Sequence, residues 1–196
     1  MVPMTSLKGP AGKSRIRFAT TNSLKFSEAE ALRAELLQLD IELPEIQAID
    51  VSEVVLDKMD SVARMRFEFP VVVEDTGLEI SSLSGLPGAF VKWFIKSLGS
   101  EGLSGIALKD GHDKVPATAV SAVGAVWGSD RKICIGRTEG FIVSPRGEDF
   151  GWNSVFLCAG SDLTFGELSA FDRLAVSMRR KPLQDAFAWL DDRGAS

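Results

Sequence analysis

Apolar and charged residues alternate through residues 15–20 (RIRFAT) and run together at Phe18-Ala19, the pattern of a strand entering a core. Thr21-Asn22-Ser23 follows. Beyond it Phe26, Ala29, Leu32 and Leu36 recur at helical spacing, with Glu28, Glu30 and Glu35 expected to face water. Residues 46–49 read as a short second strand, and residues 53–67 as a second helix with Val55, Met59 and Val62 on one face. Pro70-Val71-Val72-Val73 is too short for a helix and rich in β-branched residues, which predicts a central buried strand. Strand, helix, strand, helix, strand in that order implies an α/β sheet with right-handed crossovers.

Leu83-Ser84-Gly85-Leu86-Pro87-Gly88 is turn chemistry, and residues 89–98 then read as a helix. Residues 117–127 and 132–137 read as two strands about a hairpin-like Gly128-Ser129-Asp130, with residues 138–143 continuing the second. Residues 177–190 look helical, provided that Pro182 sits in the first turn. No repeat or linker divides the chain. The expectation is a flexible tail at residues 1–14 and one domain over residues 15–196, with two lobes around a cleft.

Composition narrows the function. The 196 residues carry a net charge of -5, which argues against a nucleic-acid partner, since that binding needs a basic surface. No apolar run reaches the roughly 20 residues of a membrane span. Cys134 and Cys158 form no disulfide framework or metal-ligand spacing, which suits a reducing, cytoplasmic location. The single histidine, His112, lies in a polar segment with nothing to orient it. Acid–base chemistry must come from carboxylates, lysines or metal-bound water.

Two junctions carry that chemistry. Thr20-Thr21-Asn22-Ser23-Leu24-Lys25 joins a strand to a helix, where outward-pointing amides, hydroxyls and a lysine suit an anion; an ordinary N-cap reads the same way. Glu74-Asp75-Thr76-Gly77 follows the buried valines, and adjacent carboxylates there must be exposed, paired or metal-bound, unless they merely close a strand. Asp50 also ends a predicted strand, and Lys58 falls beside the apolar stripe of its helix, placed to lean towards the cleft. Lys92-Trp93-Phe94 and Phe150-Gly151-Trp152-Asn153 add aromatic residues that could stack on a base or belong to the core.

These motifs, with Gly85-Leu86-Pro87-Gly88, Gly136-Arg137-Thr138-Glu139-Gly140, Pro145-Arg146-Gly147, Thr164-Phe165-Gly166-Glu167-Leu168 and Ser177-Met178-Arg179, occur in an order that resembles the inosine triphosphate pyrophosphatase family, its eukaryotic-type members above all. The resemblance covers nearly the whole chain after the tail. It implies an elongated mixed α/β sheet with flanking helices and a central nucleotide cleft, in a homodimer. It implies Mg²⁺-dependent cleavage, with Mn²⁺ able to substitute, of triphosphates such as ITP, dITP and XTP to monophosphate and pyrophosphate. Carried over by position, Thr20, Thr21, Asn22, Ser23, Lys25 and Lys58 hold phosphates, Lys25 and Lys58 acting with Asp75 in catalysis. Asp75, Asp50 and Glu74 bind metal. Thr76, Lys92, Phe150, Gly151, Trp152, Asn153, Arg173, Met178 and Arg179 surround the remainder of the substrate, with Phe150 stacking.

Electrostatics requires the metal. A carboxylate approaching a phosphate charge to about 4 Å costs roughly 4 kcal/mol at an effective dielectric of 20. A hard cation between them reverses the sign. Lys25 and Asp75 must then lie near enough to touch one triphosphate. Several positions depart from the family pattern. Thr21 replaces a glycine, Asp50 a glutamate, Asn153-Ser154 an Asp-Pro pair, and Met178 a histidine. The last two groups predict changed base selectivity, because Asn donates as well as accepts and Met makes no strong hydrogen bond. A nucleotide-binding protein without turnover, and a septum-formation-type pyrophosphatase, are the competing readings.

Overall fold

The computed structural model describes residues 15–109 and 111–195, so the expected tail at residues 1–14 lies outside the described residues. Its centre is one seven-stranded mixed sheet in the order β2-β1-β3-β5-β6-β7, with β4 beside β3. The first half is β1 (Arg17–Ala19), α1 (Ser23–Leu32), β2 (Leu37–Leu39), α2 (Val51–Met65) and β3 (Val71–Ile80). There β1 pairs parallel with both β2 and β3. After β4 (Pro87–Gly88) and α3 (Val91–Ala107), β5 (Val115–Trp127) and β6 (Asp130–Ile142) form a long hairpin. Antiparallel pairing joins β3, β5, β6 and β7 (Phe156–Cys158). The chain closes with α4 (Ala170–Val176) and α5 (Arg180–Asp191).

The pleat of β3 sorts the core. Val72 faces the α1 and α5 side with Ile16, Phe18, Val123 and Leu183. Its neighbours Val71 and Val73 face α2, packing with Val55, Met59 and Val62. Further along, Leu78 and Ile80 enter a third core with Leu103, Phe156 and Phe165. Two packed faces at one end and another core at the other leave a cleft where they meet. About 25 cal/mol per Å² of apolar area removed from water makes these buried aliphatic faces the main support of the sheet.

Several expectations are corrected. The second strand is Leu37–Leu39, not residues 46–49: its leucines alternate around Gln38 in register with β1, whereas Ile46 and Ile49 are exposed and follow Pro44. Helix α1 stops at Leu32, so Leu36 packs from the connection to β2. Glu28 does not face water. It is buried and held in an ion pair by Arg179. The central strand is ten residues long, and Glu74-Asp75-Thr76-Gly77 lies within it rather than after it. Helix α3 runs to Ala107 across a break at Gly99, where φ is 69°. Pro182 does sit in the first turn of α5, where its missing N–H costs no helical hydrogen bond. Short β7 and α4 have no sequence period long enough to announce them.

Candidate active site

On β3 the parallel partner ends early: β1 reaches only Val71 and Val72. Glu74 and Asp75 therefore come just beyond the end of β1, where the chain turns into α1. As neighbours in a strand they point to opposite faces. Each meets the cations of the helices on its own side. Glu74 Oε1 accepts from Arg179 Nε at 3.0 Å and from Ser121 Oγ at 2.8 Å. Asp75 Oδ2 accepts from Lys58 Nζ at 3.0 Å, and Lys58 comes from α2. Lys25, in the first turn of α1, spans both faces, 2.8 Å from Glu74 Oε2 and 3.3 Å from Asp75 Oδ1. The required approach of Lys25 to Asp75 is met.

The pairing extends at both ends. Arg179 Nη1 also bonds Glu28, and Arg173 Nε lies 3.7 Å from the other oxygen of Glu28. Lys58 Nζ lies 2.8 Å from Glu45 Oε1. The result is a row of alternating charge: Arg173, Glu28, Arg179, Glu74, Lys25, Asp75, Lys58, Glu45. Burial alone would raise the carboxyl pKa values. Lys25 and Arg179 overcome it for Glu74, and Lys25 and Lys58 for Asp75, so both are held below the ordinary carboxylate range. Burial works to lower Lys25 and Arg179, but their carboxylates win and raise both. Every charge in the middle of the row is fixed at neutral pH.

The row forms one wall of a cleft of about 920 Å³. Near its Lys25 end, Asn22 caps α1: its side chain accepts from the amides of Leu24 and Lys25 at 3.0 and 3.1 Å. Those two amides are thus taken. Thr20 Oγ1 accepts from Asn22 N at 3.1 Å. Among the described residues the amides of Thr21 and Ser23 have no partner, leaving them open to an anion. Thr20, Thr21, Asn22 and Thr76 line the cleft, while exposed Ser23 does not.

At the other end Phe150 is 51% exposed and lines the cleft, its ring free to stack. Trp152 touches the cleft but is mainly core, stacked on Phe165 and edge-on to Phe156. The loop that carries them is held by Asp149, which accepts from Ser100 and from Ser154 Oγ; these two bonds lower its pKa. Ser100 also donates to Gly151 O at 3.0 Å. Gly151, Asn153, Lys92 and Arg173 line this end, and Arg173 is anchored by Phe165 O at 3.2 Å. Met178 is buried and lines the cleft beside Arg179. Its segment lies tight against β6, and only glycine fits at Gly136, where a Cβ would come 2.0 Å from the Met178 carbonyl oxygen.

The three expected metal residues are not brought together. Asp50 is the exposed N-cap of α2, accepting from Ser52 N and Oγ, and does not line the cleft. Glu74 does line it, but its side chain is wholly buried between Lys25, Ser121 and Arg179. The carboxylate opposite Asp75 is Glu45, from the connection between β2 and α2. Sequence reasoning missed it, because a glutamate in an aperiodic segment carries no signal except the preceding Pro44. Glu28 is missed for another reason: helical spacing puts it on the face expected to meet water, although it lies one turn after Lys25. Glu45 and Asp75 offer hard oxygen donors across a gap now spanned by one ammonium, which fits a divalent cation that keeps waters or phosphate oxygens as its other ligands. Among the described residues no group of three or more His, Cys, Asp or Glu could hold a metal unaided.

Comparison with known proteins shows the family. The family model described as Ham1 family matches residues 16–189. An inosine triphosphate pyrophosphatase of Yarrowia lipolytica is 37% identical over 183 residues, covering 90% of this chain and 95% of the relative. One from Pyricularia oryzae is 34% identical over 187 residues, covering 93% and 97%. The Ham1 protein of Staphylococcus aureus has the same fold, with a TM-score of 0.70 at 21% identity over 91% of this chain and 99% of that one. This chain belongs to the Ham1 family, together with the inosine triphosphate pyrophosphatases that it resembles in sequence.

Proposed function

We propose that this protein, a nucleoside-triphosphate pyrophosphatase by family, hydrolyses deaminated purine nucleoside triphosphates of the ITP, dITP or XTP kind to monophosphate and pyrophosphate, clearing them from the nucleotide pool. The observation that carries the reading is the convergence of Lys25 and Lys58 on Asp75, in a cleft whose far end presents the free ring of Phe150.

The charge balance supports a metal requirement. Four cations in the row face four carboxylates, so it offers no surplus charge to a triphosphate carrying about four negatives. Glu45 and Asp75 would hold Mg²⁺, or Mn²⁺ in its place. When bound, the ion neutralises phosphate charge and acidifies water. Lys25, Lys58 and the amide of Thr21 bind the phosphate oxygens and stabilise charge on the departing pyrophosphate. Asp75, ionised at neutral pH, accepts a hydrogen bond from water and orients it towards the α-phosphorus. Water's oxygen bonds to that phosphorus, its proton passing by way of Asp75 to solvent, as the bond to the bridging oxygen breaks, and that oxygen leaves with pyrophosphate.

At the base end, Phe150 stacks while Lys92, Trp152, Arg173 and Arg179 surround base and ribose. Asn153 and Met178 change the hydrogen bonds on offer, which shifts selectivity among bases. A panel of nucleoside triphosphates assayed with Mg²⁺ by pyrophosphate release tests the reading. ITP, dITP or XTP should turn over faster than ATP or GTP. Tight binding without turnover would make the protein a nucleotide binder instead.

A further inference from the structure

Lys58 stands where a bound cation would stand. Its Nζ lies 2.8 Å from Glu45 Oε1 and 3.0 Å from Asp75 Oδ2, so one ammonium joins two carboxylates that would otherwise repel. Lys58 is only 7% exposed; it leaves α2 beside Val55, Met59 and Val62, with its aliphatic stem among buried neighbours. Asp75 has a second cation in Lys25, whereas Glu45 has only Lys58 among the described ion pairs. No third ligand of the carboxylate, imidazole or thiolate kind joins the pair among the described residues.

We infer that Lys58 is the resident counter-ion of a divalent-metal site formed by Glu45 and Asp75, and that metal and lysine exchange there. In the substrate-free enzyme the ammonium holds both carboxylates in place. A divalent cation entering between them repels it, and the released Nζ turns to the phosphates. The exchange works in both directions. Nucleotide phosphates draw Lys58 away and open the site for metal, while metal frees Lys58 for phosphate, so each ligand strengthens the other's binding. The inference rests on the metal-dependent reading above. It adds that a lysine serving the phosphates weakens metal binding when no nucleotide is present.

Mn²⁺ affinity, measured by electron paramagnetic resonance without nucleotide, tests this on the wild type, Lys58→Met and Lys58→Arg. Lys58→Met should bind Mn²⁺ about tenfold tighter or more, because the competing charge is gone. Lys58→Arg, which keeps the charge, should stay within about twofold. On the wild-type protein, reductive methylation of Lys58 followed by peptide mass spectrometry should quicken when Mn²⁺ is added. This second measurement decides alone if Lys58→Met does not fold. Unchanged affinity in folded Lys58→Met, or an unchanged methylation rate, would overturn the exchange. Pyrophosphate release by the wild type separates the two ideas. Turnover with unchanged affinity removes the exchange and leaves the activity, whereas tighter Mn²⁺ binding without turnover of any nucleotide does the reverse.

Discussion

At the charged end of the cleft, Lys25 reaches Asp75 across 50 positions of sequence, Lys58 reaches it across 17, and Arg179 reaches Glu74 across 105. At the aromatic end, Ser154 holds Asp149 from five positions away, Phe150 is half exposed, and the loop is tied to other elements by Ser100 on Asp149, by Gly166 N on Asn153 O and by Trp152 stacked on Phe165. The first region is part of the fold: its side chains connect α1, α2, β3, β5 and the start of α5. The second is a local turn fastened to the fold. A substitution in the charged row therefore disturbs several elements at once, while one in the aromatic loop stays where it is made. Asn153 lies in the local turn, so a change there leaves Lys25, Lys58 and Asp75 as they are, whereas buried Met178 sits beside Arg179 at the charged row.

Substitutions at both ends put that contrast at risk. Asp75→Asn should lower kcat by about 10³-fold or more, because it removes the charge that both lysines address. Phe150→Ala should cost about tenfold, mostly in KM, the scale of one lost stacking contact. Pyrophosphate release measures both, and a larger loss for Phe150→Ala would break the contrast. Arg179→Met should destabilise the protein by up to about 3–5 kcal/mol in urea unfolding, since buried Glu28 and Glu74 then lose the guanidinium they share and keep only Arg173 and Lys25.

Asn153→Asp should leave stability within about 0.5 kcal/mol of the wild type. It should also change the kcat/KM ratio of ITP to GTP by about tenfold. The smallest effect concerns pH. The folded pKa of Glu74 is depressed, so its contribution is present above its unfolded value and is lost as pH falls through the folded one. In Glu74→Gln the urea midpoint should consequently fall less steeply than in the wild type as pH drops below about 4.

Periodicity was enough to find β1, α2, the β5–β6 hairpin and α5, because each presents several buried positions at the spacing of its element. It misplaced the second strand and shortened β3. Three-residue β2 is recognised only through its register with β1, and β3 continues through charged residues whose partners are distant in sequence. The site divides in the same way. Lys25, Asp75 and Phe150 sit in motifs, and Lys58 stands beside an apolar stripe. Glu45 and Glu28 acquire meaning only when folding brings them to Lys58 and Arg179. Asp50 shows the converse: a carboxylate at a junction reads as a ligand, but capping α2 accounts for it.

If the charged row acts as proposed, water attacks the α-phosphorus and no other. Hydrolysis of ITP with Mg²⁺ in ¹⁸O-water, followed by ³¹P NMR, shows which phosphorus takes the oxygen. The expected products are pyrophosphate without label and inosine monophosphate carrying the ¹⁸O. Inosine diphosphate with labelled inorganic phosphate would contradict it.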